Sequence, residues 1–178
     1  MILTGCEIKE KITSGKILIS PFRESSINPN SYNYHLGAEI KTIPPGTEIN
    51  PLSNFENNLT VMDKKGMILT PGNLYLGVTE EKIGSSSYVI SLIGRSSIGR
   101  LGLFMQVSAD LSNIGIFHRW TLELVPTVPI RVYPGIPIGQ VSFWKPKGIV
   151  KKYSGLLGTL NEPSFPNPLL FNDDIDRS

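Results

Sequence analysis

Turn punctuation constrains this chain more than any other feature. Between Ile40 and Trp144, short apolar or alternating runs are cut by Pro45-Gly46, Pro71-Gly72, Gly84, Gly94, Gly102, Gly115 and Pro134-Gly135. Proline pre-sets the bend, and glycine admits the backbone angles that reverse it. Runs so often interrupted leave no room for a helix of three turns, and none is expected after residue 15. Strands at this spacing point to a mainly β sandwich or barrel. The 17 glycines and 14 prolines among 178 residues are about one position in six, and that length suits one domain.

The two ends differ from the middle. Thr4 and Glu7 have the spacing of a capping box, which predicts a short helix over residues 4–14 stopped by Gly15. Lys16 to Ser20 reads as a strand ended by Pro21, residues 22–31 as turn, and Tyr32 to Leu36 as a strand. Residues 145–178 carry Pro146, Pro163, Pro166 and Pro168, scattered apolar side chains and an acidic end. The expected organisation is a globular unit over 1–144 and an extended tail over 145–178 that acts as a lid.

Charge and cysteine content exclude several functions. The formal charge of +2 is too small for nucleic-acid or membrane attraction. With Cys6 alone and only His35 and His118, no internal disulfide and no zinc site of cysteines and histidines can be completed. That removes the zinc-dependent nucleoside deaminases. The N-terminus has charges where a secretory signal needs an apolar run, and no stretch reaches the ~18 apolar residues of a membrane span. The expectation is a soluble, cytoplasmic protein with neither nucleic acid nor membrane as partner.

Three segments hold chemistry-bearing residues. In GRSSIGRLGL, Gly94–Leu103, two arginines, two serines and three glycines follow the strand Tyr88–Ile93. Arginine forks and hydroxyl donors suit an anion, and glycine lets a ligand approach the main chain. The segment reads equally as an anion-binding loop or a solvated surface loop, and it is not a P-loop. In RWTLELV, alternation sets Trp120, Leu122 and Leu124 on one face and Arg119, Thr121 and Glu123 on the other. Taken alone, Glu123 reads as a solvated carboxylate. In QVSADLSNIGIFHR, Asp110, Asn113 and His118 occupy a loop, with His118 expected at the surface. Gln140, polar in an apolar strand, reads as an edge position or a core hydrogen bond.

Taken in order, GRSSIGRLGL, WTLEL and YPGIPIGQVSFW resemble the dCTP deaminase branch of the trimeric dUTPase-like family. MILTGCEIKEKITSGKILISPF and INPNSYNYHLG are similar to it as well, so the likeness runs from Met1 to about Trp144. The resemblance implies a distorted β-barrel with a short N-terminal helix, assembled as a homotrimer with its sites between subunits. It implies a deoxycytidine nucleotide substrate that carries magnesium, with no zinc. On this likeness Glu123 is the general base toward a water that attacks C4 of cytosine, and Ser96 helps hold that water and the base. Arg100 matches the second arginine of the motif, and Ala109 presents a carbonyl to the reacting centre. Arg95, Ser97, Ile98, Gly99, Asn113, Thr121, Leu122, Gln140 and Tyr153 match nucleotide-binding positions.

Departures from the family pattern shape the expected reaction. Asn113 stands where the family has an aspartate, and an amide can bond a sugar hydroxyl but cannot take a proton near neutral pH. His118 replaces a small residue, and Asn33 and His35 replace an aspartate and an arginine. After Tyr153 the usual phosphate-binding lysine and glutamine do not follow. The expected reaction is therefore dCTP to dUTP and ammonia. The alternatives are a dUTP or dCTP pyrophosphatase, including a bifunctional enzyme, and a nucleotide-binding paralogue without turnover.

Overall fold

The computed structural model describes residues 1–44, 46–54, 57–105, 109–155 and 161–168. Helix α1 (Gly5–Thr13) begins where Thr4 Oγ1 accepts the Glu7 N–H at 3.5 Å, the forward half of the expected capping box. It ends at Ser14. Gly15, at φ +69°, then lets its own N–H reach Ile12 O and the Lys16 N–H reach Lys11 O, closing the last turn. The fully buried Ile8 anchors the helix to the core.

Short strands account for most of the rest. They are β1 (Ile17–Ser20), β2 (Tyr32–His35), β3 (Glu39–Thr42), β4 (Asn58–Val61), β5 (Met67–Leu69), β6 (Tyr75–Ser85), β7 (Val89–Gly94), β8 (Leu103–Met105), β9 (Phe117–Pro126), β10 (Ile130–Val132) and β11 (Pro137–Trp144). One helical turn, α2 (Ser96–Gly99), interrupts them, as does a 3-10 turn at Glu24–Ser26. All pairings are antiparallel, and they form three sheets. The largest runs β4-β3-β6-β9-β8 with β1 also on β6; the others are β2-β11-β7 and β10-β5. Among the described residues no sheet closes on itself, and three open sheets surround one core where a distorted barrel was expected. Closure needs every strand paired on both sides, and the three-residue ladder of β5 and β10 stands apart from the other two sheets. Tyr32, Tyr34, Leu36, Ile40, Leu92, Leu122, Leu124 and Phe143 fill the interior between the sheets. Among the described residues, no helix is long and apolar enough to cross a membrane.

β6 and β9 are the longest strands, and their ladder slips between Val78 and Lys82. Such a bulge breaks pairing and adds twist. It drives Glu81 into the interior at 0% exposure. There the carboxylate accepts the His35 N–H and Arg23 Nη1, each at 2.9 Å, with His35 Nδ1 also against it. A buried carboxylate is tolerable only when paired and hydrogen-bonded in this way.

Beyond the slip, Gly84 packs so tightly on the neighbouring strand that an added Cβ would lie 2.0 Å from Ile116 O. Backbone cannot give way there as a side-chain tip can. Gly84→Ala is expected to cost about 2 kcal/mol or more of unfolding free energy, read from urea midpoints at unchanged slope.

Candidate active site

A cavity of about 600 Å³ lies along β9, at the outer end of the largest sheet. Its polar groups are Glu123, Thr121, Asn113, Ser112 and His118, and Tyr153 and Ser164 reach it from the tail. Its apolar walls are Leu74, Leu76, Leu111, Ile116, Trp120, Phe165 and Pro166, with Ala109 at the start of the preceding loop. Strand register explains why Glu123 faces in. Glu123 sits opposite Leu76 and Leu76 opposite Lys41, so the three side chains share one sheet face. Leu122 and Leu124, on the other face, are fully buried.

β9 offers the cavity its backbone as well as its side chains. Among the described residues, β8 pairs with Leu124–Pro126 and no strand pairs with the outer edge of β9 from Phe117 to Glu123. The Trp120 N–H turns inward to Thr79 Oγ1 at 2.8 Å. By alternation the N–H groups of Arg119 and Thr121 turn outward. An open edge beside a carboxylate is a template for reading the donor and acceptor pattern of a flat polar ring.

Thr121 and Glu123 of the expected polar face are thus half-buried in the cavity rather than solvated, and Arg119 is half-buried beside it. Trp120 packs against the core cluster that holds Leu122 and Leu124, as the alternation predicts. It is half-buried, lines the same cavity, and donates its indole N–H to Ile83 O at 3.0 Å. His118 is a correction. Expected at the surface, it is buried, tilted against Trp120 at 4.6 Å between ring centroids, with Nδ1 2.6 Å from Arg119 O. A carbonyl only accepts, so Nδ1 carries the hydrogen. The ladder slip at Val78/Lys82 is the physical reason both faces of β9 contribute, because the added twist rotates residues 118–120 relative to 121–123.

Other expected site residues stand apart from this cavity. Arg95, Ser96, Ser97, Ile98, Gly99 and Arg100 form the helical turn after β7, and none of them lines the cavity. Ser96, Ser97 and Arg100 are exposed, and Arg95 Nη1 donates to Pro137 O at 3.2 Å. Gln140 is no edge residue. It lies on β11 between Asn33 of β2 and Ile93 of β7, its Oε1 accepting Ser31 Oγ at 3.1 Å. Among the described residues, no lysine or arginine lines the cavity. The chain therefore presents two separated sets: a carboxylate pocket with an open strand edge, and a cationic, hydroxyl-rich turn. Residues 106–108, at the start of the expected ligand-holding loop, lie outside the described residues.

A profile of the dCTP deaminase-like family matches residues 2–146. The chain belongs to this family. A "dCTP deaminase, dUMP-forming" of Cytophaga hutchinsonii is 42% identical over 177 residues, 99% of this chain and 100% of that protein. A protein of the same name from Hathewaya histolytica is 39% identical over 173 residues, 97% of this chain and 99% of that one. The solved 2'-deoxycytidine 5'-triphosphate deaminase of Agrobacterium tumefaciens shares the fold, with a TM-score of 0.61 at 21% identity over 80% of this chain and 47% of that one. Family membership thus bears out the resemblance read from the sequence motifs.

The sequence reading missed the apolar walls and the tail residues Ser164–Pro166. Leu74 and Leu76 were legible only as one face of an alternating strand, and Phe165 as an aromatic set between prolines in a polar tail. It also missed what flanks the cavity. Arg119 holds Glu39 through two parallel bonds, Nη1 to Oε1 and Nη2 to Oε2, each 2.8 Å. These bonds, opposed by burial, keep the Glu39 carboxyl below the usual carboxylate range. A lowered folded-state pKa means that stability from the pair is complete above the unfolded value, about 4.3, and is lost as pH falls through the folded one. Glu39→Gln is expected to flatten the fall in unfolding free energy between about pH 5 and pH 3, measured by urea titration at each pH.

Proposed function

We propose that this chain converts dCTP to dUMP, ammonia and pyrophosphate. The observation that carries the reading is the convergence of Glu123, Thr121, Asn113 and the Ala109 loop on one cavity beside an open strand edge, in a chain whose full-length relatives bear that activity in their names. Glu123 takes a proton from a water whose oxygen attacks C4 of cytosine. The proton then goes to the departing amino group, the C4–N bond breaks, and ammonia leaves. A second water displaces pyrophosphate at the α-phosphorus, which balances the conversion of dCTP and two waters to the three products.

The outward edge at Thr121 suits main-chain bonds to the cytosine edge, with Leu122 fixing the strand from the core side and Ala109 presenting its carbonyl. Dropping dUTP as the end product revises the expectation drawn from Asn113. In this reading Asn113 orients the sugar hydroxyl through its amide and takes no proton. Tyr153, half-buried in the cavity wall, covers the nucleotide from the tail, so 1–144 is the catalytic unit and 145–178 its lid.

A triphosphate needs cations, and among the described residues none lines the cavity. We assign them to the Arg95–Arg100 turn of a second copy, with Ser96 toward the attacking water and Arg95, Ser97, Ile98, Gly99 and Arg100 toward the phosphates. Gln140, on the same sheet as β7, joins that half. A homotrimer with its sites between subunits satisfies this division. Magnesium enters as part of the nucleotide, and no zinc is invoked.

The decisive assay incubates the protein with dCTP and magnesium and resolves the nucleotides by anion exchange with parallel ammonia detection. Expected are dUMP and ammonia in equal amounts; accumulation of dUTP would overturn the product, and absence of ammonia the enzyme. Glu123→Gln should lower ammonia release by at least about 100-fold with nucleotide binding retained. Co-expressed Glu123→Gln and Arg100→Ala chains should regain activity that neither has alone, because some sites in mixed assemblies receive both intact halves. No regain would defeat the shared site.

A further inference from the structure

Arg119 joins three parts of the chain at the rim of the Glu123 cavity. Its guanidinium is fixed by Glu39 on β3 and by a bond from Nε to Thr79 O on β6 at 2.7 Å. That leaves Nη1 able to donate to Asn161 O of the tail at 3.3 Å, while the Arg119 main-chain N–H meets Asn161 Oδ1 at 3.4 Å. Asn161 thus caps the open edge of β9 at Arg119. Two residues along the same edge, Thr121 Oγ1 accepts the Ser164 N–H at 3.2 Å. Between these two points Pro163 is buried, and beyond them Ser164, Phe165 and Pro166 form one wall of the cavity.

We propose that Arg119 is a positioning residue for the proposed reaction: anchored by Glu39, it seats residues 161–168 so that Ser164–Pro166 wall the Glu123 cavity. The inference rests on the deaminase reading for its kinetic consequence but not for its structural one. The chemistry favours arginine specifically. The planar fork engages both Glu39 oxygens while Nε and the remaining Nη1 hydrogen point to two different carbonyls, which an ammonium on a flexible stem cannot reproduce. Because Glu39 and Thr79 hold the guanidinium in place, the tail docks on a pre-set partner and orders fewer groups when it closes the wall.

The test compares Arg119→Ala, Arg119→Lys and Asn161→Ala with the unmodified chain by hydrogen exchange and by dCTP kinetics. Asn161→Ala removes the Oδ1 that accepts the Arg119 main-chain N–H, keeps the main-chain carbonyl that accepts from Nη1, and leaves the Arg119–Glu39 pair in the sheet intact. Expected are faster exchange of the Ser164 and Phe165 amides in all three. KM for dCTP should rise about tenfold while kcat changes by less than about threefold, and lysine should give no rescue. In a chain ending at Gly155, Arg119→Ala should add nothing further to KM, since two changes acting through one element are not additive. Unchanged Ser164 and Phe165 exchange in Asn161→Ala and Arg119→Ala overturns the anchor. So does an undiminished effect of Arg119→Ala in the shortened chain, which would place its role in the sheet. If the unmodified protein releases no ammonia, the functional reading fails, and the exchange comparison still decides the anchor.

Discussion

The antiparallel ladder between β6 and β9, and the place where it slips, organises everything else in this protein. Seven residue pairs join the two strands on either side of the Val78/Lys82 irregularity. On one side of the slip, regular register sets Glu123 and Thr121 above Leu76 and Val78. On the other, the surplus residues of β6 turn Glu81 inward to Arg23 and His35 and free Thr79 to bond both Trp120 and Arg119. A bulge is a costly interruption unless its unpaired groups find other partners, and here they find them in the core and at the cavity rim. One backbone irregularity therefore buries a charge, turns an indole toward the cavity and presents a guanidinium to the tail.

The division of polar groups follows from the same scaffold. Among the described residues, β8 pairs with β9 from Leu124 to Pro126, and the seven residues Phe117 to Glu123 have no strand partner on that side. Exposed edges invite pairing with whatever strand or ligand is near. The tail meets β9 at Arg119 and, through the Ser164 N–H, at Thr121 Oγ1, and both Thr121 and Glu123 line the cavity. The cationic turn after β7 lies on a different sheet, so cavity and cations are presented by different surfaces of one chain. Under the proposed function these are two complementary halves of one site, which a symmetric assembly would unite without any new residue.

Much of this was legible in the residues. The capping box at Thr4, the stop at Gly15, the strands Ile17–Ser20 and Tyr32–His35, and, among the described residues, the absence of any long helix after residue 15 follow from local chemistry. Glu123 was legible as one of an alternating polar triplet, and the motif order pointed to the family to which the chain belongs. The burial of His118, the place of Trp120 in the cavity wall and the open sheets were not legible. Each depends on partners distant in the chain: Thr79 for Trp120, Trp120 for His118, and the short β5 and β10 for the sheets. Gln140 is a similar case, for its strand neighbours Asn33 and Ile93 lie far off in sequence.

Sequence alone determined where the chain turns, which runs are strands and which residue types carry charge, because these are set within a few residues by backbone sterics and alternation. Tertiary structure decided which of those charges meet. The Arg119–Glu39 pair spans β9 and β3, with β6 between them, and Asn161 comes to the same guanidinium from the tail. No local rule sets such distances, since they depend on register and on one bulge that shifts every later side chain.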